Sequence, residues 1–126
     1  MSERIRKLLD KMRQADLDAL LVTGEINVRY LTGFTGDSTY LVVTEEAPIL
    51  LSDGRYESQI ASQCPGFDVR IRSPSDLLPD LTRDVIHSVK GDGTGVPRVG
   101  LESNQLTLAS YRRLVSGISQ IEFVET

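Results

Sequence analysis

Most of the chemistry open to a small protein runs through histidine or cysteine, and this chain of 126 residues holds one of each, His87 and Cys64. A zinc site made from these residue types needs about four ligands, more than the two can supply. A Ser-His-Asp triad would have to be built on His87, and nothing near it reads as the sharp strand-to-helix turn that presents a serine nucleophile. A lone cysteine closes no internal disulfide, so Cys64 reads as a small core hydrophobe and no secreted framework is signalled. The run Gly91-Asp92-Gly93-Thr94-Gly95 has glycines enough to cradle a phosphate. It follows a helical stretch and precedes a strand, the reverse of the order such a cradle requires, and is read as a plain loop.

The charge balance narrows the partners. There are 14 Lys and Arg against 18 Asp and Glu, a net charge of −4, and affinity for nucleic acid rests on basic residues meeting phosphates. The densest basic stretch, Arg4, Arg6, Lys7, Lys11 and Arg13, is interleaved with Glu3 and Asp10 and reads as the wet face of a helix. No apolar run approaches the roughly 20 residues that cross a bilayer, and the charged start from Glu3 carries no signal-peptide core. The expectation is a cytoplasmic protein with neither nucleic acid nor membrane as partner.

The elements that must position any site follow from periodicity. Ile5, Leu8, Leu9 and Met12 fall on one helical stripe, with Ser2 as cap and Glu3 in the first turn. Ala19 to Thr23 is a short apolar run with Gly24 behind it, which predicts a strand buried on both faces. Residues 25–33 predict a short helix ended by Gly33, and Tyr40 to Thr44 with Ile49 to Ser52 predict a hairpin. Asp53-Gly54 turns into a helix with Tyr56, Ile60, Ala61 and Cys64 on one side, stopped by Pro65-Gly66. A strand over Phe67 to Ile71 comes next. Then follows a helix capped by Ser75, with the stripe Leu78, Leu81, Val85 and Val89 and a solvated His87. Arg98 to Leu101 predicts a strand, Thr107 caps a helix bearing Leu108, Tyr111, Leu114 and Val115 that ends near Gly117, and Ile121, Phe123 and Val124 make the last strand. The sum is an α/β domain of five helices around a mixed sheet of about six strands.

Two dense motifs stand out against that frame. One is Asn27-Val28-Arg29-Tyr30-Leu31-Thr32-Gly33-Phe34-Thr35-Gly36, and the other is Ser52-Asp53-Gly54-Arg55-Tyr56 followed by Gln59. They resemble the N-x-x-Y-L-T-G-F-x-G and T-D-G-R-Y-x-x-Q patterns of the amino-terminal domain of the creatinase/prolidase/aminopeptidase P family. Asp18-Ala19-Leu20-Leu21-Val22, and Val99-Gly100-Leu101-Glu102 before Leu106-Thr107, are similar to its frame as well. The resemblance covers nearly the whole chain and implies a ribonuclease-H-like fold over residues 1–126.

That family's members are X–Pro metallopeptidases or creatine amidinohydrolases whose carboxy-terminal pita-bread domain holds two metal ions on Asp, His and Glu ligands. The resemblance therefore implies a non-catalytic domain belonging to a longer protein. It implies no metal ligand and no cofactor in this chain, and two divalent ions (manganese, cobalt or zinc) in the full-length parent. It further implies a role in homo-oligomer assembly, a dimer above all, and in admitting proline-containing peptides. A partner-binding module of a catalytically dead pseudo-peptidase is the alternative.

In the family the loop after the first motif reaches a neighbouring subunit's active-site mouth, which carries over to Phe34, Thr35, Gly36, Asp37 and Ser38; Asp37 stands where many relatives have a small residue. The residues also have bland readings: Gly33 and Gly36 for backbone freedom, Tyr30 as core, and Asp53 as a turn or cap. Arg55, beside Tyr56, opposes the dipole at a helix start. It needs a carboxylate, either in this domain or on a substrate or neighbouring subunit. A nuclease reading with metals on Asp18, Asp53 and Glu102 has suitable residue types but finds no support in the acidic balance.

Overall fold

Alternation along the strands decides the architecture. In the computed structural model, which describes residues 3–88, 97–116 and 121–126, β1 (Ala19–Val22) sends Leu20 and Val22 to one face and Ala19 and Leu21 to the other. β2 (Tyr40–Thr44) divides Leu41 and Val43 from Val42, and β3 (Ile49–Ser52) divides Leu50 from Leu51. A sheet that is apolar on both faces must be covered twice. α1 (Glu3–Gln14), α2 (Glu25–Thr32) and α3 (Glu57–Gln63) cover one face through Ile5, Leu9, Met12, Val28 and Ile60. α4 (Leu78–His87) and α5 (Leu108–Val115) cover the other through Val85, Ile86 and Leu114.

β4 (Asp68–Ile71), β5 (Arg98–Leu101) and β6 (Glu122–Glu125) complete a six-stranded sheet among the described residues, in the order β4-β3-β2-β1-β5-β6. β2 is antiparallel to both neighbours, and the other three pairings are parallel. β2 and β3 form the expected hairpin, with Tyr40 opposite Leu51 and Val42 opposite Ile49. α2 ends as expected at Gly33, whose φ of 82° is left-handed and whose N–H reaches the Arg29 carbonyl. Thr107 caps α5 by accepting from the Ser110 N–H at 3.1 Å. Cys64 is buried, its thiol donates to the Thr32 carbonyl, and burial pushes that thiol up from its ordinary pKa. His87 is exposed.

The structure corrects several expectations. Ser75 does not cap α4: the helix begins at Leu78, and Asp80 reaches back to accept from the Leu77 N–H at 3.0 Å. A carboxylate three residues inside the helix satisfies the backbone from within, so the cap position itself can be apolar. The core stripe of α4 also includes Thr82 and Ile86, both 0% exposed. Thr82 is tolerated because its hydroxyl donates to the Leu78 carbonyl at 2.8 Å. Tyr30 is not core but 56% exposed. It lies under the Arg4 guanidinium, 4.1 Å from the ring centre, while Arg4 also donates to the Tyr30 carbonyl. On α5 only Leu114 is fully buried, and Leu108 and Tyr111 are 61% and 37% exposed, because the helix packs chiefly on α4. Tyr56 lies in a 3-10 turn, Gly54–Tyr56, ahead of α3 rather than on the helix. The expected roles of Ser2, Val89, the 91–95 loop and Gly117 lie outside the described residues.

Candidate functional site

The loop joining α2 to β2 and the turn leaving β3 come together at the same end of the sheet, and their contacts explain both motifs. Thr32 donates its hydroxyl to the Val28 carbonyl and accepts from the Phe34 N–H at 3.0 Å. This directs Phe34 into the core, where it is fully buried and meets Tyr56 edge-on with ring centres 5.3 Å apart. Gly36 then crosses these rings so closely that an added Cβ would lie 2.4 Å from Phe34 Cζ and 2.9 Å from Tyr56 Cε1. Close approach, not conformational freedom, is what requires glycine there: Gly33 carries the positive φ and Gly36 does not. Thr35 is tied to α3. Its N–H donates to Gln63 Oε1 at 3.1 Å, and its hydroxyl accepts from Gln59 and Gln63 at 3.1 and 3.0 Å.

The outer part of the loop faces solvent. Asp37 and Ser38 are exposed, and Ser38 takes a left-handed φ of 50°. The Tyr56 hydroxyl donates to Asp37 Oδ1, and this bond is the chief reason the phenol is raised above its ordinary pKa. Behind Asp37, Thr39 donates to the Asp37 carbonyl at 2.9 Å and lies 2.7 Å from the buried Ser52 hydroxyl.

Arg55 finds its carboxylate two residues away. Its Nε and Nη2 donate to Asp53 Oδ1 and Oδ2 at 3.0 and 2.9 Å, and its backbone N–H donates to Oδ1 at 3.0 Å. Asp53 is therefore the cap expected of it and also the counter-charge. The Arg55 guanidinium hydrogen bond, with the nearby field of Arg72, holds its carboxyl below the usual range. The Arg55 side chain remains 67% exposed and lies 5.1 Å from the centre of the Tyr56 ring. Six of the seven sequence-derived candidates, Phe34, Thr35, Gly36, Asp37, Arg55 and Tyr56, are thus brought together with Asp53 in one cluster, in which Phe34 and Asp53 are buried and Thr35, Asp37 and Arg55 are exposed. Ser38 lies on the far side, bordering a cleft with Arg55. Sequence reasoning missed Gln63, for which the only signal was its i, i+4 spacing from the motif residue Gln59.

The other carboxylates have structural work. Glu102 Oε1 accepts from the Thr23 and Gly24 N–H groups at 2.8 and 3.0 Å, and its Oε2 accepts from the Asn27 amide, which fixes the start of α2. Asp18 accepts from the Arg98 N–H at 2.8 Å. Asp18 precedes β1 and Glu102 follows the parallel β5, so a strand length of roughly 13 Å separates them. Among the described residues no group of three or more His, Cys, Asp or Glu side chains could hold a metal ion. The two-metal chemistry that the resemblance implies does not fit these residues, and no step through a metal is derived on them.

Comparison with known proteins agrees with the fold. The model of the creatinase/prolidase N-terminal domain matches residues 4–126. An uncharacterized peptidase, YqhT, of Bacillus subtilis (strain 168) is 32% identical over 121 residues, 96% of this chain and 32% of its own length. The crystal structure of the N-terminal domain of the cytoplasmic peptidase PepQ from Mycobacterium tuberculosis H37Rv is 32% identical with a TM-score of 0.83, covering 100% of this chain and 94% of that one. An Xaa-Pro dipeptidase from Bacillus anthracis superposes with a TM-score of 0.84 at 26% identity, over 98% of this chain and 33% of its own. The chain thus spans a third or less of the curated relatives it matches. With the matched model running over both motifs and the sheet that carries them, this chain belongs to the creatinase/prolidase N-terminal domain family.

Proposed function

We propose that this domain shapes access to a proline-peptide hydrolase site and does not itself perform the hydrolysis. In this reading the full-length protein is a cytoplasmic X–Pro peptidase. Its carboxy-terminal domain carries two divalent ions such as manganese, cobalt or zinc, and the present domain contributes to a homodimer and to the mouth of the site. The observation that carries the reading is the division of the 34–38 loop. Its inner half is locked by Phe34, Gly36 and Tyr56, while Asp37 and Ser38 are held out to solvent. A loop ordered in advance meets a peptide or a neighbouring subunit with little further loss of freedom. Asp37 Oδ1 is occupied by the Tyr56 hydroxyl, and the exposed side chain has a second carboxylate oxygen with which to accept from an ammonium or amide N–H.

The test is Asp37→Ala in the full-length protein. Because Asp37 is exposed and holds the fold only through its bond from Tyr56, the folding midpoint should fall only slightly, while kcat/KM per folded molecule on an X–Pro peptide falls roughly 10- to 100-fold. Sedimentation of the same variant reports whether the dimer weakens. Unchanged kinetics together with an unchanged sedimentation coefficient would remove the loop from the site. The 126-residue chain alone should cleave no X–Pro peptide with or without added manganese, and metal-dependent turnover lost on chelation would overturn the division of labour.

A further inference from the structure

The sheet ends at β4 on one side and at β6 on the other, and the two edges differ in charge. β6 carries only acids, Glu122 and Glu125. The other edge, Phe67-Asp68-Val69-Arg70-Ile71, carries one acid and one base on either side of a central valine. We propose that β4 pairs antiparallel with β4 of a second copy of this chain, about a two-fold axis through Val69. The pairing joins two six-stranded sheets into one. It deepens the homodimer reading given above by naming a contact, and it does not depend on the 34–38 loop.

The backbone of β4 is arranged for this. Asp68 and Arg72 turn their N–H groups inward, to the Pro48 and Ser52 carbonyls at 3.2 and 2.9 Å. Alternation along the strand therefore leaves Val69 and Ile71 presenting N–H and C=O to the open edge. With Val69 on the axis, it exchanges backbone hydrogen bonds with the partner's Val69, and the Ile71 N–H donates to the partner's Phe67 carbonyl. Asp68 then faces the partner's Arg70, and Arg70 the partner's Asp68, in the type of pair whose side chains come closest. Both residues are exposed, and neither side chain has a hydrogen bond or ion pair among the described residues. On the other face Phe67 meets the partner's Ile71. Phe67 and Val69 already pack on the core and are only half-buried. Charges on a short edge strand ordinarily discourage pairing. Here they select its register. Sliding by two residues keeps the faces matched, but it sets Arg70 against the partner's Arg70, or Asp68 against the partner's Asp68. Of these three registers, only the one centred on Val69 has no like charges face to face.

The experiment is sedimentation equilibrium of the 126-residue chain from about 10 µM to about 1 mM, since a contact confined to one strand edge is small. A monomer–dimer equilibrium is expected. Asp68→Lys or Arg70→Glu sets like charges face to face and should weaken it roughly 10-fold or more. An equimolar mixture of these two variants should dimerise about as well as the parent, because every facing pair is again of opposite sign. The double variant should recover for the same reason. Glu125→Lys makes the same charge change as Asp68→Lys on the other edge, and should leave association unchanged. Both β4 positions are exposed, so the variants should fold, which circular dichroism checks. A chain that stays monomeric throughout, single variants that associate like the parent, or a mixture no better than its parts would overturn the inference. Asp68→Lys in the full-length protein separates this contact from the wider reading. A full-length dimer that it does not weaken overturns the β4 contact alone, and a full-length monomer overturns the homodimer as well.

Discussion

Replacing Gly36 by alanine sets a single methyl group against two aromatic rings. The new Cβ would lie 2.4 Å from Phe34 Cζ and 2.9 Å from Tyr56 Cε1, whereas carbon atoms settle about 3.5–4.0 Å apart. One ring or the loop must retreat by about 1 Å. Phe34 is 0% exposed and cannot swing into solvent, so the displacement falls on the packed layer between α2 and α3. Overpacking of this kind costs about 1–3 kcal/mol, or a fall in Tm of about 4–12 °C for a domain of this size. Urea unfolding followed by circular dichroism measures it, since the chain has no tryptophan.

Two other glycines calibrate the result. Gly33→Ala meets no atom within 4 Å but carries φ +82°, so it should cost about 1–2 kcal/mol from backbone strain alone. Gly54→Ala has neither a near atom nor a positive φ and should lie within about 0.5 kcal/mol of the parent or slightly above it. Adding Phe34→Leu to Gly36→Ala should recover part of the loss, as a coupling of about 0.5 kcal/mol or more. A Gly36→Ala chain as stable as the parent, or no more affected than Gly54→Ala, would refute the close-packing argument.

Acid should weaken the fold through Asp53 and Asp80, whose carboxyls are held low chiefly by hydrogen bonds from Arg55 and Arg113. A depressed folded pKa means that the unfolded chain takes the proton first. The contribution is therefore full above about pH 4 and is lost as the pH falls through the folded value; urea midpoints across that range check it, and Asp80→Asn should flatten the slope. Asp80→Ala should also cost about 1 kcal/mol at neutral pH, since it removes the acceptor for the Leu77 N–H at the start of α4. Glu102→Ala should cost about 1–3 kcal/mol by stranding the Thr23 and Gly24 N–H groups, and Glu102→Gln less, because one oxygen is kept; equal losses for the two would argue against the hydrogen-bond account.

What could be read from the sequence was whatever a residue does to its own segment. Ile5, Leu9 and Met12 announce the buried side of α1, the spacing of Tyr40–Thr44 and Ile49–Ser52 announces a hairpin, and Gly33 announces the end of α2. What could not be read depends on partners far along the chain or on geometry finer than spacing. Tyr30 has the composition of a core residue, yet α2 has only eight residues and buries Val28, which leaves Tyr30 on the outer side beneath Arg4. Thr82 looks polar in a list of residues, but a hydroxyl that bonds the carbonyl four residues back behaves as part of the core. The candidate surface was legible as two motifs. The ties that hold them together, Thr35 to Gln63 and Asp37 to Tyr56, span 28 and 19 residues and belong to the tertiary fold. The pairing of Arg55 with Asp53 is local, but whether an arginine two residues on folds back or reaches out is decided by the 3-10 turn between them.

The parallel pairing of β1 with β5 has a consequence for the order in which the chain is made. Ala19 lies opposite Val99, its partner 80 positions later, whereas β2, β3 and β4 find their neighbours within a few tens of residues. During synthesis β1 can pair with β2 on one side while its other edge waits for β5 to emerge. At a few residues per second to about twenty, that interval lasts several seconds. For that time the nascent chain displays an open edge of Ala19-Leu20-Leu21-Val22, an apolar segment of the kind that templates pairing with other chains. Truncations ahead of Arg98 leave the same edge permanently uncovered and should give aggregates, not a smaller folded unit.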